Sequence, residues 1–148
     1  MSPEENIERV RRYYEEIFNQ GQMDRVDEFI DPNFINHDHP PGFTPPRGAE
    51  GAVQFWNMVH AAFPDMQVEI EITIAEGDLV CEHSVIRATH GGDWMGVAAT
   101  GKPITWDMTN LYKMSDGKIT DRWGAFDQLA IMRQMGVLPD RRGNGGGE

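Results

Sequence analysis

The stretch D-G-K-I-T-D-R-W-G-A-F-D-Q-L-A-I-M-R-Q-M-G, Asp116 to Gly136, decides how this chain folds at its C-terminal end. Asp116-Gly117 is turn chemistry, because Gly accepts the positive φ that a tight hairpin demands. The residues that follow predict a strand, whose side chains alternate between faces. Strict alternation places Ile119, Asp121, Trp123, Ala125 and Asp127 on one face, with the Trp123 indole seeking burial. Leu129, Met132 and Met135 then recur at helical spacing as the apolar stripe of a closing helix. Asp127 stands at the handover, and two readings of it stay open. A carboxylate in apolar company resists ionisation and can transfer protons near neutral pH. Alternatively, Asp127 is only the N-cap of the helix.

Upstream of this stretch the period is also two. Val68, Ile70, Ile72 and Ile74 alternate with Gln67, Glu69, Glu71 and Thr73, which predicts a half-exposed strand. Glu76-Gly77-Asp78 turns the chain into a second strand, from Leu79 to about His90. A Gly-rich connection, Gly91 to Gly101, leads to a third, from Pro103 to Met114. The N-terminal part is helical. Ser2-Pro3-Glu4-Glu5 reads as a capping box with Pro at the first helical position. Ile7, Val10, Tyr14, Ile17 and Phe18 continue at helical spacing, and a shorter helix carries Met23, Val26, Phe29 and Ile30. Asp31-Pro32 stops that helix, and Pro40, Pro41, Pro45 and Pro46 predict an irregular loop from Asn33 to Pro46. A third helix runs from about Gly48 to Phe63, with Val53, Trp56, Val59 and Phe63 as its buried stripe.

Helices, then a four-strand meander, then a short helix make this an α+β chain. The order argues against a doubly wound nucleotide fold, and no G-x-G-x-x-G is present. A curved antiparallel sheet covered by the N-terminal helices leaves a cone-shaped cavity suited to a small ligand. At 148 residues the chain suits one domain, expected over residues 1–139, with a flexible tail at 140–148. The formal net charge of −11 disfavours nucleic acid and anionic membranes as partners. The single cysteine, Cys81, cannot form an intrachain disulfide, which fits a reducing cytoplasm. No apolar run approaches the ~20 residues of a membrane span.

Taken in order, several short motifs carry a resemblance. They are Tyr14 and Phe18-Asn19, F-I-N-H-D at Phe34 to Asp38, Gly48 and Gly51, A-F-P-D at Ala62 to Asp65, and E-G-D at Glu76 to Asp78. Thr89-His90, Gly96, T-G-K at Thr100 to Lys102, D-G-K-I at Asp116 to Ile119, Trp123, Asp127, Gln134 and Gly136 complete the set. The chain resembles the SnoaL-like polyketide cyclase family, within the superfamily of nuclear-transport-factor-like cone folds, from roughly Ile7 to Gly136. The resemblance implies N-terminal helices packed on a curved, mainly antiparallel sheet, with a short C-terminal helix. It also implies a cofactor-free active site in which an aspartate at the end of the last strand is general acid/base for an intramolecular aldol closure. The matching position is Asp127. Departures from the family pattern include Ala88 before Thr89-His90, His83 where arginine often stands, and an additional histidine, His39.

His37 is expected to face the pocket, polarising a substrate carbonyl or orienting Asp127. His90 is a candidate oxyanion donor, or a residue satisfying buried loop carbonyls. Tyr14, Phe34, Trp56, His83, Trp94, Trp106, Asn110 and Trp123 are expected to bind the substrate, a small, largely apolar carbonyl compound. Asn110 interrupts an apolar strand face and needs a partner, from protein or ligand. His37-Asp38-His39 could offer two imidazoles, but a metal site needs further ligands and no spacing supplies them, so no metal is expected. Two other functions share the fold. An epoxide-opening hydrolase would need an Asp-Arg-Asp cluster, for which Arg87, Asp107 and Asp127 are the candidates, and a non-catalytic binder would only sequester its ligand. Apolar residues on the outer sheet face favour a homodimer or homotetramer.

Overall fold

The computed structural model describes residues 1–39, 42 and 44–138. The expected division between domain and tail at 139/140 lies outside these residues, as do Pro40 and Pro41. Helix α1, Pro3–Arg12, begins at Ser2, whose hydroxyl accepts from Glu5 N at 3.1 Å. It runs into a π-helical segment, Tyr13–Asn19, and a 3-10 segment follows at Met23–Glu28. Helix α2 spans Ala49–Ala62 and α3 spans Gln128–Met135. Five strands form one sheet: β1 Ile30–Asn36, β2 Gln67–Glu76, β3 Leu79–Thr89, β4 Pro103–Ser115 and β5 Lys118–Phe126. Their order is β1-β5-β4-β3-β2.

The meander β2 to β5 is antiparallel, and β1 joins its edge parallel to β5. This strand corrects the expectation of a loop from Asn33 and of helix through Ile30. Asp31-Pro32 cannot continue a helix, yet Pro is tolerated on an edge strand because its missing donor faces away from the ladder. The β4–β5 turn is the expected two-residue hairpin, with positive φ at Asp116 (49°) and Gly117 (78°).

Two β-bulges change which side chains face inward. In β5, Met114 pairs with Ile119 while Lys113 pairs with Asp121, so Thr120 is an extra residue. The faces therefore invert after Ile119. Ile119 and Arg122 are buried, Phe126 lines the interior, and Trp123 is 41% exposed. Strict alternation keeps Ile119 inside but places Arg122 and Phe126 outside and Trp123 inside, the reverse of what is observed for those three. In β2, Ile70 pairs with Ser84 and Ile72 with His83, making Glu71 the extra residue. Ile72 and Ile74 are consequently exposed on the outer face, by 55% and 65%. The inner face is continuous: Ile104, Trp106, Met108, Asn110, Tyr112 and Met114 of β4 are all buried and meet the helices.

Candidate active site

Between α2 and the inner sheet face lies a narrow apolar recess with a cavity volume of about 30 Å³. Phe55, Trp56 and Val59 of α2 form one wall. Ile86, Trp106, Met108 and Phe126 of the sheet form another, and Trp94 arrives from the β3–β4 connection. Trp94 is held by donating its indole N–H to Gln128 Oε1 at 3.3 Å. Among the described residues lining this recess one is charged, Arg122.

Arg122 belongs to a hydrogen-bonded chain that crosses the inner face strand by strand. In β3, Glu82 Oε1 accepts from Tyr14 Oη at 2.8 Å and from Asn110 Nδ2 of β4 at 2.5 Å. Asn110 Nδ2 also donates to Tyr14 Oη at 2.9 Å, and Tyr14 and Tyr112 share a hydrogen bond between their hydroxyls. Asn110 Oδ1 accepts from Arg122 Nε of β5 at 3.0 Å. Arg122 Nη1 then donates to Asn36 Oδ1 of β1 at 3.0 Å and lies 3.6 Å from Asp38 Oδ2. Gly124 makes the chain possible. It stands opposite Asn110 in the β4–β5 register, and a Cβ there would overlap Arg122 Nη2 and Asn110 Oδ1.

Burial pushes the Glu82 carboxyl up from its ordinary value, against hydrogen bonds from Asn110 and Tyr14 and the charge of Arg122. Burial also raises Tyr13 to about 12 and drives Tyr14 and Tyr112 upward, so all three phenols are neutral at pH 7. A carboxyl whose native pKa lies above its unfolded value favours folding fully below that unfolded value. The contribution is lost as pH rises through the native pKa. Wild type is therefore expected to lose stability relative to Glu82→Gln as pH rises from about 4.5, the ordinary value of the group. Urea midpoints of both proteins across pH 4–8 read this directly (the range is roughly that over which a raised carboxyl titrates). Parallel curves would show that Glu82 does not titrate differently in the native state.

The predicted site residues separate into groups. Trp56, Trp94 and Trp106 line the recess. Tyr14 and Asn110 are buried in the polar chain, so the partner Asn110 needs is protein. Phe34 is buried in the core. His90 is fully buried against Phe63, outside the recess lining. Thr100 N donates to its Nδ1 at 3.2 Å, while Gly101 N donates to its carbonyl, so it clasps the connection from β3 to β4.

Other placements correct the expectations. His83 and Trp123 are on the outer face, His83 because its β3 position alternates with the buried Glu82 and Ser84, Trp123 because of the Thr120 bulge. His83 Nδ1 meets Thr109 Oγ1 at 2.8 Å. His37 stacks on Trp123 at 4.5 Å between ring centroids and pairs with Asp121 at 2.9 Å, so it orients no group of the recess. Burial works against Asp121, yet hydrogen bonds from His37 and Thr120 hold its carboxyl below the ordinary carboxylate range. Arg87, Asp107 and Asp127 form no cluster. Arg87 is exposed and pairs with Glu69 at 3.1 Å. Asp127 is exposed, and its Oδ1 accepts from Ala130 N at 2.9 Å, the N-cap geometry. It directly follows Phe126 of the recess wall. Among the described residues, no three of His, Cys, Asp and Glu converge as a metal site.

Sequence reading missed Arg122, Glu82, Asn36 and Gly124. The accessible signal was Glu82, an acidic residue between Val80 and Ser84 on an apolar strand.

Comparison with known proteins agrees with this architecture. The model of the SnoaL-like polyketide cyclase family matches residues 8–135. Aklanonic acid methyl ester cyclase DauD of Streptomyces sp. (strain C5) is 32% identical over 140 residues, covering 92% of this chain and 83% of its own. Nogalonic acid methyl ester cyclase of Streptomyces nogalater is 29% identical over 136 residues, covering 85% and 95%. Among solved structures, IdmH of Streptomyces antibioticus, a proposed polyketide cyclase, superposes with a TM-score of 0.76 at 34% identity, covering 89% of this chain and 99% of its own.

Proposed function

The chain belongs to the SnoaL-like polyketide cyclase family, and from that premise we propose that it closes a ring in a polyketide-type carbonyl compound by intramolecular aldol condensation, without a cofactor. The observation that carries this reading is the apolar, tryptophan-lined recess with a cationic group, Arg122, in its lining, a chemistry that suits a carbonyl compound with a largely apolar body. Holding a flexible chain with its reacting carbons in contact accelerates ring closure. A carbon flanked by carbonyls is acidic enough for one carboxylate to remove its proton. The enolate carbon then bonds to the second carbonyl carbon, and the oxygen of that carbonyl takes a proton as it becomes a hydroxyl. The relatives named as cyclases of aklanonic and nogalonic acid methyl esters support this reaction class.

In this reading Asp127 is the proton-transfer group, presented at the end of the strand that supplies Phe126 to the recess wall. Asp127→Asn separates that role from capping, since asparagine caps a helix as well as aspartate does. The test is mass-spectrometric detection of cyclised product from linear and aromatic polyketide carbonyl compounds, in buffer containing a chelator. Wild type is expected to convert at least one, and Asp127→Asn to lose on the order of 10²-fold in rate with its thermal midpoint unchanged. Undiminished turnover in the variant would remove Asp127 from the chemistry. Incorporation of oxygen from labelled water into product would overturn ring closure in favour of hydrolysis.

A further inference from the structure

We propose that Arg122 is the oxyanion anchor of the recess, binding the enolate or acidic enol oxygen of a 1,3-dicarbonyl substrate through Nη2. The inference rests on the cyclase reading and names the group that reading lacks. Arg122 is 4% exposed and lines the recess. Three of its contacts are within the protein: Nε to Asn110, Nη1 to Asn36, and Nη1 near Asp38. Its Nη2 is buried and has no hydrogen-bond partner among the described residues. Leaving a charged donor buried and unmatched is costly, so such a group calls for a functional explanation. The contacts with Asn110 and Asn36 hold the fork in place, and the Phe55 ring lies 5.2 Å from the guanidinium carbon. A fixed cation in an apolar pocket stabilises developing negative charge without reorganising.

The surroundings sharpen the chemistry. Glu82, whose carboxyl burial favours in the neutral form, is linked to Arg122 by hydrogen bonds through Asn110. Asp38 Oδ2 lies 3.6 Å from Nη1 and is partly exposed. An apolar wall alone would suppress the enolate of a bound diketone, because desolvation disfavours the charged form. A cation within about 4–6 Å favours it instead. The two influences have opposite signs, so the anchor is readable as a sign and not merely as an affinity.

The probe is benzoylacetone, whose enol and enolate differ in near-ultraviolet absorbance. Bound to wild type, it is expected to carry about tenfold more enolate than in free solution at the same pH, the equivalent of one unit of acidity. Arg122→Met is expected to reverse the effect, leaving less enolate bound than free. Arg122→Lys, which keeps the charge, is expected to restore part of it. A merely structural arginine would leave the enolate fraction bound to wild type at or below the solution value, and that result overturns the proposal whether or not the variants fold. Equal enrichment in wild type and folded Arg122→Met also overturns it. Because benzoylacetone need not cyclise, the outcomes separate. Conversion of polyketide substrates without enolate enrichment removes the anchor and leaves the cyclase reading, whereas enrichment without conversion of any substrate does the reverse.

Discussion

Asn110→Ala is expected to destabilise the fold by roughly 3–5 kcal/mol, the cost typical of breaking a buried charged network at one member. The amide makes hydrogen bonds in three directions, to Glu82, to Tyr14 and to Arg122. Truncation removes all three at once and leaves the acid and the guanidinium with unmatched atoms where water has little access. That penalty for stranded groups exceeds what the same bonds contribute when intact. The measurement is a chemical denaturation curve, in which the midpoint is expected to fall with the slope unchanged. In a chain of this size the thermal midpoint should drop on the order of 10 °C. Asn110→Asp is the informative companion. It keeps an acceptor for Arg122 but withdraws the donor from Glu82, so it should lie between wild type and alanine at acid pH and worsen as pH rises. A loss below about 1 kcal/mol for Asn110→Ala would mean that water satisfies these groups and that the chain does not act as a unit.

The elements that were legible in the sequence are those set by local chemistry. Asp116-Gly117 dictates its hairpin whatever surrounds it, and Ser2-Pro3 starts α1 for the same reason. The four antiparallel strands follow from period-two patterning, and the motif order carries the family. What escaped was set by pairing between strands. A bulge at Thr120 has no signature in the residue itself, yet it moves Arg122 inward and Trp123 outward. The bulge at Glu71 does the same to Ile72 and Ile74. Reading β5 with unbroken alternation therefore favoured Asp121, Trp123 and Asp127 and passed over the residues that face the recess. Strand β1 was hidden because Asn33 and Pro32 read as loop chemistry, and only the open edge of β5 makes a strand of them. Asn110 was legible as a residue in need of a partner, but the register that sets it between Glu82 and Gly124 exists only in the folded sheet.

Gly124→Ala is expected to cost about 1–3 kcal/mol, the range for overpacking a filled interior, although intrinsic preference argues the other way. Glycine weakens a strand interior, and alanine there ordinarily helps. Gly124 has no left-handed φ that would exclude alanine. The obstacle is steric: an added Cβ would overlap Arg122 Nη2 and Asn110 Oδ1. The guanidinium is the flexible end of a long side chain, but Asn110 and Asn36 pin it, so it can yield only by breaking part of the network. The same displacement would shift the charged group of the recess lining, so the enolate enrichment expected of wild type should fall along with stability. A double-mutant cycle isolates the cause. With Arg122→Met already in place the overlap with Nη2 is gone, and Gly124→Ala should then cost less, by 0.5 kcal/mol or more, than it does in wild type (about the lower limit for contacting residues). Additive effects would place the strain elsewhere, and a stabilising Gly124→Ala would show that this glycine keeps no space for the arginine.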